Sequence, residues 1–413
     1  MARENIIAGL DIGTSKVAAI IADIGSGDLD EIEVIGVGVA PSEGLRRGVV
    51  VDIEKTAASI RKAVEDAELM AGVEISSVYA GIAGGHIMGT NVSGVVAVSG
   101  PNHEITQADV DRAINAAQAL AIPVEREVIH VIPQGFVVDG QDGIKDPVGM
   151  HGVRLEAHVH IITGAVTSAQ NLVKSVHMAG LSVEDIVLQP LASSKAVMTD
   201  QEKDIGTVLV DMGAGTTDIV IFKNGALMHT KVLSLGGWHV TNDIAMGLRI
   251  TPQEAERIKK QSGCALVDLV DDTETVAVSL PGGRRPRLIM RRVLAEIIQP
   301  RMMEILDLVA REIEKSKVVI MGGVILTGGC ALMEGLPELA EYMFDMPVRI
   351  GYPRQLKGLV DKVNSPIYAT GVGLIIFGAE ERKKGKRPKA RFKSSRQFEE
   401  ILRRMKEWFA DYF

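Results

Sequence analysis

Two short glycine-rich segments combine residue types that bind phosphate. In each, an aspartate ends an apolar, strand-like run, and a glycine then permits a tight turn. Backbone N–H groups and Thr or Ser hydroxyls of such a turn can surround phosphate oxygens. Each aspartate can also hold Mg²⁺ through water, because that ion keeps several of its own waters. The two segments are Asp11-Ile12-Gly13-Thr14-Ser15-Lys16 and Asp211-Met212-Gly213-Ala214-Gly215-Thr216-Thr217.

A third segment offers a place for an adenine ring. From Ile325 an apolar run leads into Gly328 and Gly329 and on to Met333, and glycines after a strand let a flat ring approach the backbone. One such turn alone also fits an ordinary hairpin, but three related segments favour a nucleotide site. A P-loop is excluded because GxxxxGK[ST] cannot be placed on the first segment.

The elements that must position these segments follow from the apolar patterns. Strands are predicted over residues 5–10, 17–22, 32–39 and 76–82, and a helix over 53–71. Residues 206–222 repeat the strand–loop–strand pattern of the first segment. This alternation predicts an α/β fold, and the repeat indicates an internal duplication.

The rest of the chain divides into an insertion and a second helical region. Residues 84–162 are rich in turns and predict an inserted subdomain with one helix over 106–120, capped by Thr106. Further helices are predicted over 168–180, 251–262, 287–316 with a possible break at Pro300, near Met333, and over 372–377; a hairpin is predicted over 274–289 and a strand over 318–326.

The composition predicts a protein that stays inside the cell. Apolar residues make up 46% and charged residues 24%, as in globular domains. Cys264 and Cys330 have no CxxC spacing, which favours a reducing compartment. The N-terminus is too short and too acidic for a signal peptide, and no apolar run reaches the roughly 20 residues that span a bilayer.

The net charge of −8 is unevenly distributed. From Arg382 onward the chain carries 12 Lys or Arg residues and 4 acidic ones, so the preceding body sums to −16. The acidic body argues against a body that binds nucleic acid, and the basic tail indicates that the tail contacts an anionic partner.

The end of this tail predicts an amphipathic helix over residues 396–413. Apolar side chains recur at helical spacing, with Arg403, Arg404 and Lys406 beside them, which is typical of a helix lying in the headgroups of an anionic membrane. A helix packed on the body or on a partner is the alternative, and the basic linker disfavours it. The apolar stripe is Phe398, Ile401, Leu402, Met405, Trp408, Phe409 and Tyr412.

The three glycine-rich segments resemble the phosphate-1, phosphate-2 and adenosine motifs of the actin-like ATPase superfamily. Within it the chain resembles the FtsA family of bacterial cell-division proteins over nearly its whole length. The resemblance is carried by residues 139–162, by Gln189-Pro190-Leu191-Ala192-Ser193-Ser194, and by Glu254-Ala255-Glu256-Arg257-Ile258-Lys259 with Gly263-Cys264-Ala265.

This resemblance implies an α/β, actin-like fold: a duplicated, ribonuclease H-like pair of domains around a nucleotide cleft, with an inserted subdomain and a C-terminal amphipathic helix. The implied subdomains are IA (1–84 and 163–197), IC (85–162), IIA (198–245 and 305–381) and IIB (246–304), followed by a basic flexible linker (382–395) and the helix (396–413).

The resemblance also implies ligands and partners. ATP with Mg²⁺ would bind in the cleft, with Glu256 and Lys259 on its ribose and adenine side. Arg287 and Arg301 would receive the acidic C-terminal peptide of the tubulin-like protein FtsZ, because the arginine fork pairs with carboxylates. Filaments of the chain itself, recruitment of later division proteins and a position on the cytoplasmic face of the cell membrane at the division site would follow.

Three functional classes share the superfamily fold. The first is a cell-division scaffold whose ATP controls polymerisation, with at most slow hydrolysis. The second is a sugar or carboxylate kinase, which has no use for an amphipathic tail. The third is a chaperone-like ATPase, which needs a peptide-binding domain after the nucleotide domains.

Overall fold

The chain up to Ile82 builds most of one mixed sheet, as its apolar runs predict. The computed structural model describes residues 5–25, 31–119, 123–280, 282, 286–354 and 356–383. Helix α1 has the predicted bounds, because the Asp52 side chain caps its first turn and Gly72, in the left-handed conformation, ends it. The elements are β1 (Ile6–Ile12), β2 (Lys16–Asp23), β3 (Glu33–Pro41), β4 (Leu45–Arg46), β5 (Val49–Val50), α1 (Ile53–Ala71) and β6 (Ser77–Ile82).

A separate four-stranded sheet with one covering helix follows. Thr106 caps that helix as predicted, and Asp109 returns the contact by accepting the Thr106 backbone N–H at 2.9 Å. Gly94 lets the helix approach closely, since a Cβ there would lie 2.0 Å from the Ala113 carbonyl oxygen. The elements are β7 (Met88–Ala97), α2 (Gln107–Gln118), β8 (Arg126–Val138), β9 (Gln141–Ile144) and β10 (Arg154–Ala165), in the order β7-β10-β8-β9.

The chain then returns to the first sheet and crosses to a second. The elements of this part are α3 (Val166–Met178), β11 (Ser182–Leu188), α4 (Gln189–Val197), α5 (Asp200–Ile205), β12 (Thr207–Met212), β13 (Thr217–Lys223), β14 (Ala226–Leu233), α6 (Gly237–Leu248), α7 (Pro252–Ser262), β15 (Thr275–Val278), β16 (Arg287–Met290), α8 (Arg291–Ser316), β17 (Val324–Thr327), α9 (Leu336–Phe344) and β18 (Val348–Ile350).

Three boundaries in this region differ from the expectation. Residues 287–290 form a strand paired with β15, so α8 begins only at Arg291, and Pro300 lies inside it without ending it. The strand predicted over 318–326 is short, because Gly323 adopts a left-handed φ of 73° immediately before β17. The helix expected near Met333 begins at Leu336, after a left-handed Gly335.

The last described elements return to the first sheet. Val363 and the apolar residues of α11 belong to the core around β1 and β2, so the end of the 305–381 segment packs with the first sheet. Helix α11 also reaches Lys383, two residues into the predicted linker. The elements are β19 (Lys357–Gly358), α10 (Val360–Val363) and α11 (Ala369–Lys383).

The two large sheets repeat one topology, which confirms the predicted duplication. Their strand orders are β3-β2-β1-β6-β11 and β14-β13-β12-β17-β18, with β19 added beside β3. In each, the central strand pairs antiparallel with the next strand and parallel with the following crossover strand. We call the two halves lobe I and lobe II. The ends of β1 and β12, where the phosphate segments begin, are therefore equivalent positions.

Helix α4 lies between the two sheets and joins their cores. Along β12, Leu209 faces the lobe I cluster while Val208 and Val210 face the lobe II cluster. Alternating residues of a strand point to opposite faces, so the lobe II sheet is buried on both sides. Helix α4 therefore packs on both sheets, against β6 and β11 of lobe I and against β12 and β13 of lobe II.

The inserted sheet contacts lobe II through polar groups. Buried His160 shares hydrogen bonds with Asn91 Oδ1 at 2.5 Å and with Thr230 Oγ1, on β14, at 2.9 Å. Gln134 Nε2 donates to the Leu227 carbonyl oxygen at 2.8 Å. Burial, and secondarily the charge of His229, lower the pKa of His160 to about 4.

This contact predicts a loss of stability in acid. The His160 side chain takes up a proton near its ordinary pKa of 6.5 in the unfolded chain but only near 4 in the folded one. Its contribution to the free energy of unfolding is therefore lost as the pH falls from 6.5 to 4. The full shift corresponds to about 3 kcal/mol. We expect the urea midpoint of the wild type to fall more steeply from pH 7 to pH 5 than that of His160→Gln. Equal slopes would contradict a neutral, buried His160.

Candidate functional site

The two phosphate segments form the same turn at equivalent strand ends. The Gly13 N–H donates to the Lys16 carbonyl oxygen at 2.9 Å, and the Gly213 N–H donates to the Thr216 carbonyl oxygen at the same distance. Each turn closes a hairpin, between β1 and β2 in lobe I and between β12 and β13 in lobe II. The sequence repeat is therefore a structural repeat.

The turns face each other across the boundary between the lobes. A Cβ built on Gly215 would lie 2.4 Å from Thr14 Oγ1, so glycine is required for this approach. The Gly48 N–H donates to the same hydroxyl at 3.1 Å. Thr14, Gly213 and Gly215 are thus gathered at one place, as the motif predicts.

Both aspartates are held by side chains that the sequence interpretation did not select, and Asp11 is also held by Lys16, which it did select. Lys16 Nζ lies 3.1 Å from Asp11 Oδ2, and Gln189 Nε2 donates to Asp11 Oδ1 at 3.3 Å. Asp211 Oδ2 accepts from Ser193 Oγ at 2.7 Å and from Thr370 Oγ1 at 3.3 Å. Gln189 and Ser193 both come from α4. The Gln-Pro-Leu-Ala-Ser-Ser stretch of this helix was the sequence signal that could have identified them as site residues.

The site gathers three buried carboxyl groups, those of Asp11, Asp211 and Asp218. Burial raises the pKa of Asp211 to about 6, and burial together with the Asp211 charge raises the pKa of Asp218 well above its ordinary value. Asp218 Oδ1 is buried and has no hydrogen-bond partner among the described residues. Within the described residues, no group of three or more His, Cys, Asp or Glu side chains could hold a metal ion directly, so Mg²⁺ near Asp11 and Asp211 would keep its own waters as ligands.

The adenosine segment lies against the second phosphate segment. Gly328 has a φ of 82°, and a Cβ there would lie 2.4 Å from Asp211 Oδ1. Gly329, in contrast, is open, since the nearest atom to its Cβ position is Ile367 Cγ2 at 3.8 Å. Met333 ends this segment half-buried against the lobe II core.

Glu256 and Lys259 of α7 reach the same corner of the cleft. Lys259 Nζ lies 2.6 Å from Glu256 and donates to Thr241 Oγ1 at 2.8 Å and to the Gly237 carbonyl oxygen at 3.0 Å. The Gly237 N–H in turn donates to the Gly213 carbonyl oxygen at 3.0 Å. The first turn of α6 therefore connects both predicted residues to the phosphate segment.

The remaining predicted phosphate-binding residues differ in whether their polar groups lie at the turn. Trp238 N–H donates to the Ala214 carbonyl oxygen at 2.8 Å, and Thr216 Oγ1 donates to Asp218 Oδ2 at 3.2 Å. Thr217 is buried, and its hydroxyl donates to the Leu235 carbonyl oxygen at 2.9 Å, away from the turn. Ser15 is exposed, and its carbonyl oxygen accepts the Ser42 N–H at 3.1 Å.

The two arginines predicted to bind a partner have different surroundings. Arg287 is exposed on β16. Arg301, on α8, already pairs with Asp243, with Nε 2.6 Å from Oδ2 and Nη2 3.1 Å from Oδ1, and also with Glu304. Hydrogen bonding to Asp243 raises the pKa of the Arg301 guanidinium. Capture of a peptide carboxylate by Arg301 would have to compete with Asp243.

The apolar stripe of the tail and nearly all of the basic linker lie outside the described residues. The helix predicted over 396–413 is therefore a sequence-based prediction. Within the described part of the chain, no helix is both long enough and apolar enough to cross a membrane.

Comparison with known proteins decides between the functional classes. The chain is 46% identical to the cell division protein FtsA of Pseudomonas aeruginosa, over 99% of this chain and 98% of that protein. The chain belongs to the FtsA family of cell division proteins. It is also 42% identical to FtsA of Escherichia coli K12, over 92% of both chains, and 41% identical to FtsA of Bacillus subtilis, over 91% of this chain and 84% of that one.

Family models agree with this assignment. Residues 208–373 match the model "Cell division protein FtsA", and residues 84–163 match "SHS2 domain inserted in FTSA". FtsA membership makes the chain a cell-division protein and does not favour the kinase interpretation.

Solved structures show that the fold is actin-like. The PilM–PilN type IV pilus biogenesis complex matches with a TM-score of 0.67 at 16% identity, over 90% of this chain and 98% of that chain. MreB5 of Spiroplasma citri bound to ADP matches with a TM-score of 0.55 at 15% identity, over 93% of this chain and 99% of that chain. The predicted actin-like, two-lobed α/β fold with an insertion is confirmed.

Proposed function

We propose that this FtsA-family chain binds ATP with Mg²⁺ between its lobes. The observation that carries the proposal is the pair of identical turns, with Thr14 of lobe I against Gly215 of lobe II. A triphosphate between the turns would receive N–H groups and hydroxyls from both lobes and draw them together. Glu256, Lys259, Gly329 and Met333 would surround the nucleoside, and Asp11 and Asp211 would face the metal waters.

Magnesium would offset the charge that the site otherwise concentrates. Three buried carboxylates face a phosphate chain with Lys16 as the adjacent cation, so a divalent ion is needed to bring phosphates close. When bound, the ion would neutralise charge on the phosphate oxygens. Gln189 and Ser193 would hold the two aspartates in place, and hydrolysis, if it occurs, would be slow.

The nucleotide would control assembly on the membrane. The subdomain division predicted from the sequence, into IA, IC, IIA and IIB, fits a chain whose lobes close on a ligand. Family membership and the basic, amphipathic tail support a polymer that lies on the cytoplasmic face of the cell membrane at the division site, holds FtsZ there and recruits later division proteins.

Electron microscopy on a lipid monolayer tests this function directly. With ATP, Mg²⁺ and anionic lipid we expect filaments on the monolayer, and without nucleotide or on neutral lipid we expect few. Filaments that form equally under all conditions would separate polymerisation from the cleft and from the tail.

The FtsZ site gives a further prediction at Arg287. Arg287→Glu should weaken binding of the acidic FtsZ peptide by roughly tenfold, because reversal replaces an attraction with a repulsion. Fluorescence anisotropy with labelled peptide measures the peptide affinity. The ATP affinity, which should not change, is the control. Arg301→Glu should weaken peptide binding as well, but it also leaves Asp243 unpaired, so Arg287 is the cleaner test. Peptide affinity unchanged and insensitive to salt would place the partner site elsewhere.

A further inference from the structure

A short segment at the base of the cleft contacts all three nucleotide motifs. This segment, residues 366–371, runs into the first turn of α11. The Pro366 carbonyl oxygen accepts from the Gly328 N–H at 3.2 Å and from Thr327 Oγ1 at 3.3 Å, beside the adenosine segment. Thr370 Oγ1 donates to Asp211 Oδ2 at 3.3 Å, in the second phosphate motif.

Tyr368 makes the contact with the first phosphate motif. The Lys16 ammonium lies 5.3 Å from the centroid of the Tyr368 ring and 3.1 Å from Asp11 Oδ2. The Lys16 side chain is 24% exposed, so a ligand can still reach it. The ammonium is thus held from two sides by groups of different kinds, one charged and one neutral.

The difference between the two groups matters for phosphate binding. Asp11 attracts the Lys16 ammonium but also neutralises its charge, which weakens the attraction between Lys16 and a phosphate. An aromatic face attracts a cation through the ring quadrupole and adds no net charge. The ring can therefore keep the ammonium in place while leaving it positive.

We propose that Tyr368 is a positioning residue that holds Lys16 between Asp11 and the bound phosphates. Because the 366–371 segment also touches Gly328 and Asp211, the ring is fixed relative to the other two motifs. The inference rests on the proposed nucleotide site and assigns to it a residue that none of the three motifs contains. Tyr368 and Lys16 would therefore affect binding of the phosphate chain of a nucleotide and not binding of the nucleoside.

Three ligands and three substitutions test the role. Tyr368→Leu and Tyr368→Met remove the ring while keeping an apolar side chain, and Tyr368→Phe keeps the ring. By calorimetry we expect the affinities for ATP and ADP to fall roughly 2- to 30-fold in the Leu and Met variants and to change less than about twofold in Phe. Adenosine affinity should be the same in all four proteins. A parallel loss of adenosine binding, or equal ATP affinity in all four, would overturn the inference.

A double-mutant cycle separates positioning from packing. In a Lys16→Gln background there is no ammonium to hold, so Tyr368→Leu should cause no further loss of ATP affinity. The same loss in both backgrounds would mean that the ring only fills space. Failure of the wild type to bind ATP would instead overturn the proposed nucleotide site itself, whereas a wild type that binds ATP and a Tyr368→Leu variant that binds it equally well would overturn only the role of Tyr368.

Discussion

Leucine at Gly329 or at Gly213 is expected to remove ATP binding while the fold remains intact. The nearest atom to a Cβ at Gly329 is Ile367 Cγ2 at 3.8 Å, and at Gly213 it is the Thr216 carbonyl oxygen at 3.4 Å, both ordinary contact distances. Neither glycine has the positive φ that disfavours other residues. The new side chains would therefore occupy space meant for adenosine or phosphate. We expect a loss of at least about 100-fold in affinity by calorimetry.

Glycine positions elsewhere in the site would give a less direct answer. A Cβ on Gly215 would collide with Thr14, and one on Gly328 would collide with Asp211, so loss of binding there could come from a distorted protein. Gly135→Leu is the matched control, because a Cβ at Gly135 in the inserted sheet meets the Ile144 carbonyl oxygen at 3.6 Å. It should bind ATP normally. Unchanged ATP affinity in both Gly213→Leu and Gly329→Leu would show that the motifs do not form the nucleotide site.

Local patterns predicted the elements that carry their own start and stop signals. Helix α1 lies where its periodicity and its Asp52 and Gly72 ends place it, and α2 begins at the capping box of Thr106. The two phosphate turns were also predictable, because an apolar strand, an aspartate and a glycine are all local features. Their equivalence in space followed from their equivalence in sequence.

Local patterns could not predict contacts between distant parts of the chain. The residues of α11 up to Ala379 are apolar around the helix, which predicts that they are buried but does not identify the sheet that they contact. In the structure they pack with lobe I, some 350 residues of sequence from β1. Gln189, Ser193 and Thr370, which contact the two aspartates, come from α4 and α11, and a local pattern does not show that these helices reach the site. Asp243 of α6 lies beside Arg301 only in the folded chain, because 58 residues separate the two in sequence.

Asp211 and Asp218 are direct neighbours across the β12–β13 ladder. Burial, and secondarily the Asp211 charge, raise the pKa of Asp218, so the charged forms of the two carboxyl groups disfavour each other. Hydroxyls of Ser193 and Thr370 stabilise Asp211 without adding charge. Under the proposed function, a bound Mg²⁺ would favour the charged carboxylates, so metal and nucleotide should bind cooperatively.

Removing residues 396–413 is expected to release the chain from anionic liposomes. Burying a large apolar side chain is worth about 1.5 to 3 kcal/mol, and each nearby cation adds about 1 kcal/mol at an anionic surface. Replacing Trp408 and Phe409 by Glu should therefore outweigh the contribution of Arg403, Arg404 and Lys406. Co-sedimentation with vesicles containing anionic lipid measures the release. Binding by the wild type should also weaken as salt rises, because the cations act within a Debye length of about 10 Å.

A charge-matched control separates insertion from electrostatics. Glu at Ser395 and Ala410 adds the same negative charge as the Trp408 and Phe409 replacements but leaves the apolar stripe whole. This control should lose part of its binding at low salt, whereas the stripe variant should lose nearly all of it at any salt. The thermal midpoint should be the same in all variants, since the predicted basic linker would separate the predicted helix from the lobes. Truncated protein that still sediments with vesicles, or that melts several degrees lower, would instead make residues 396–413 a helix packed against the body.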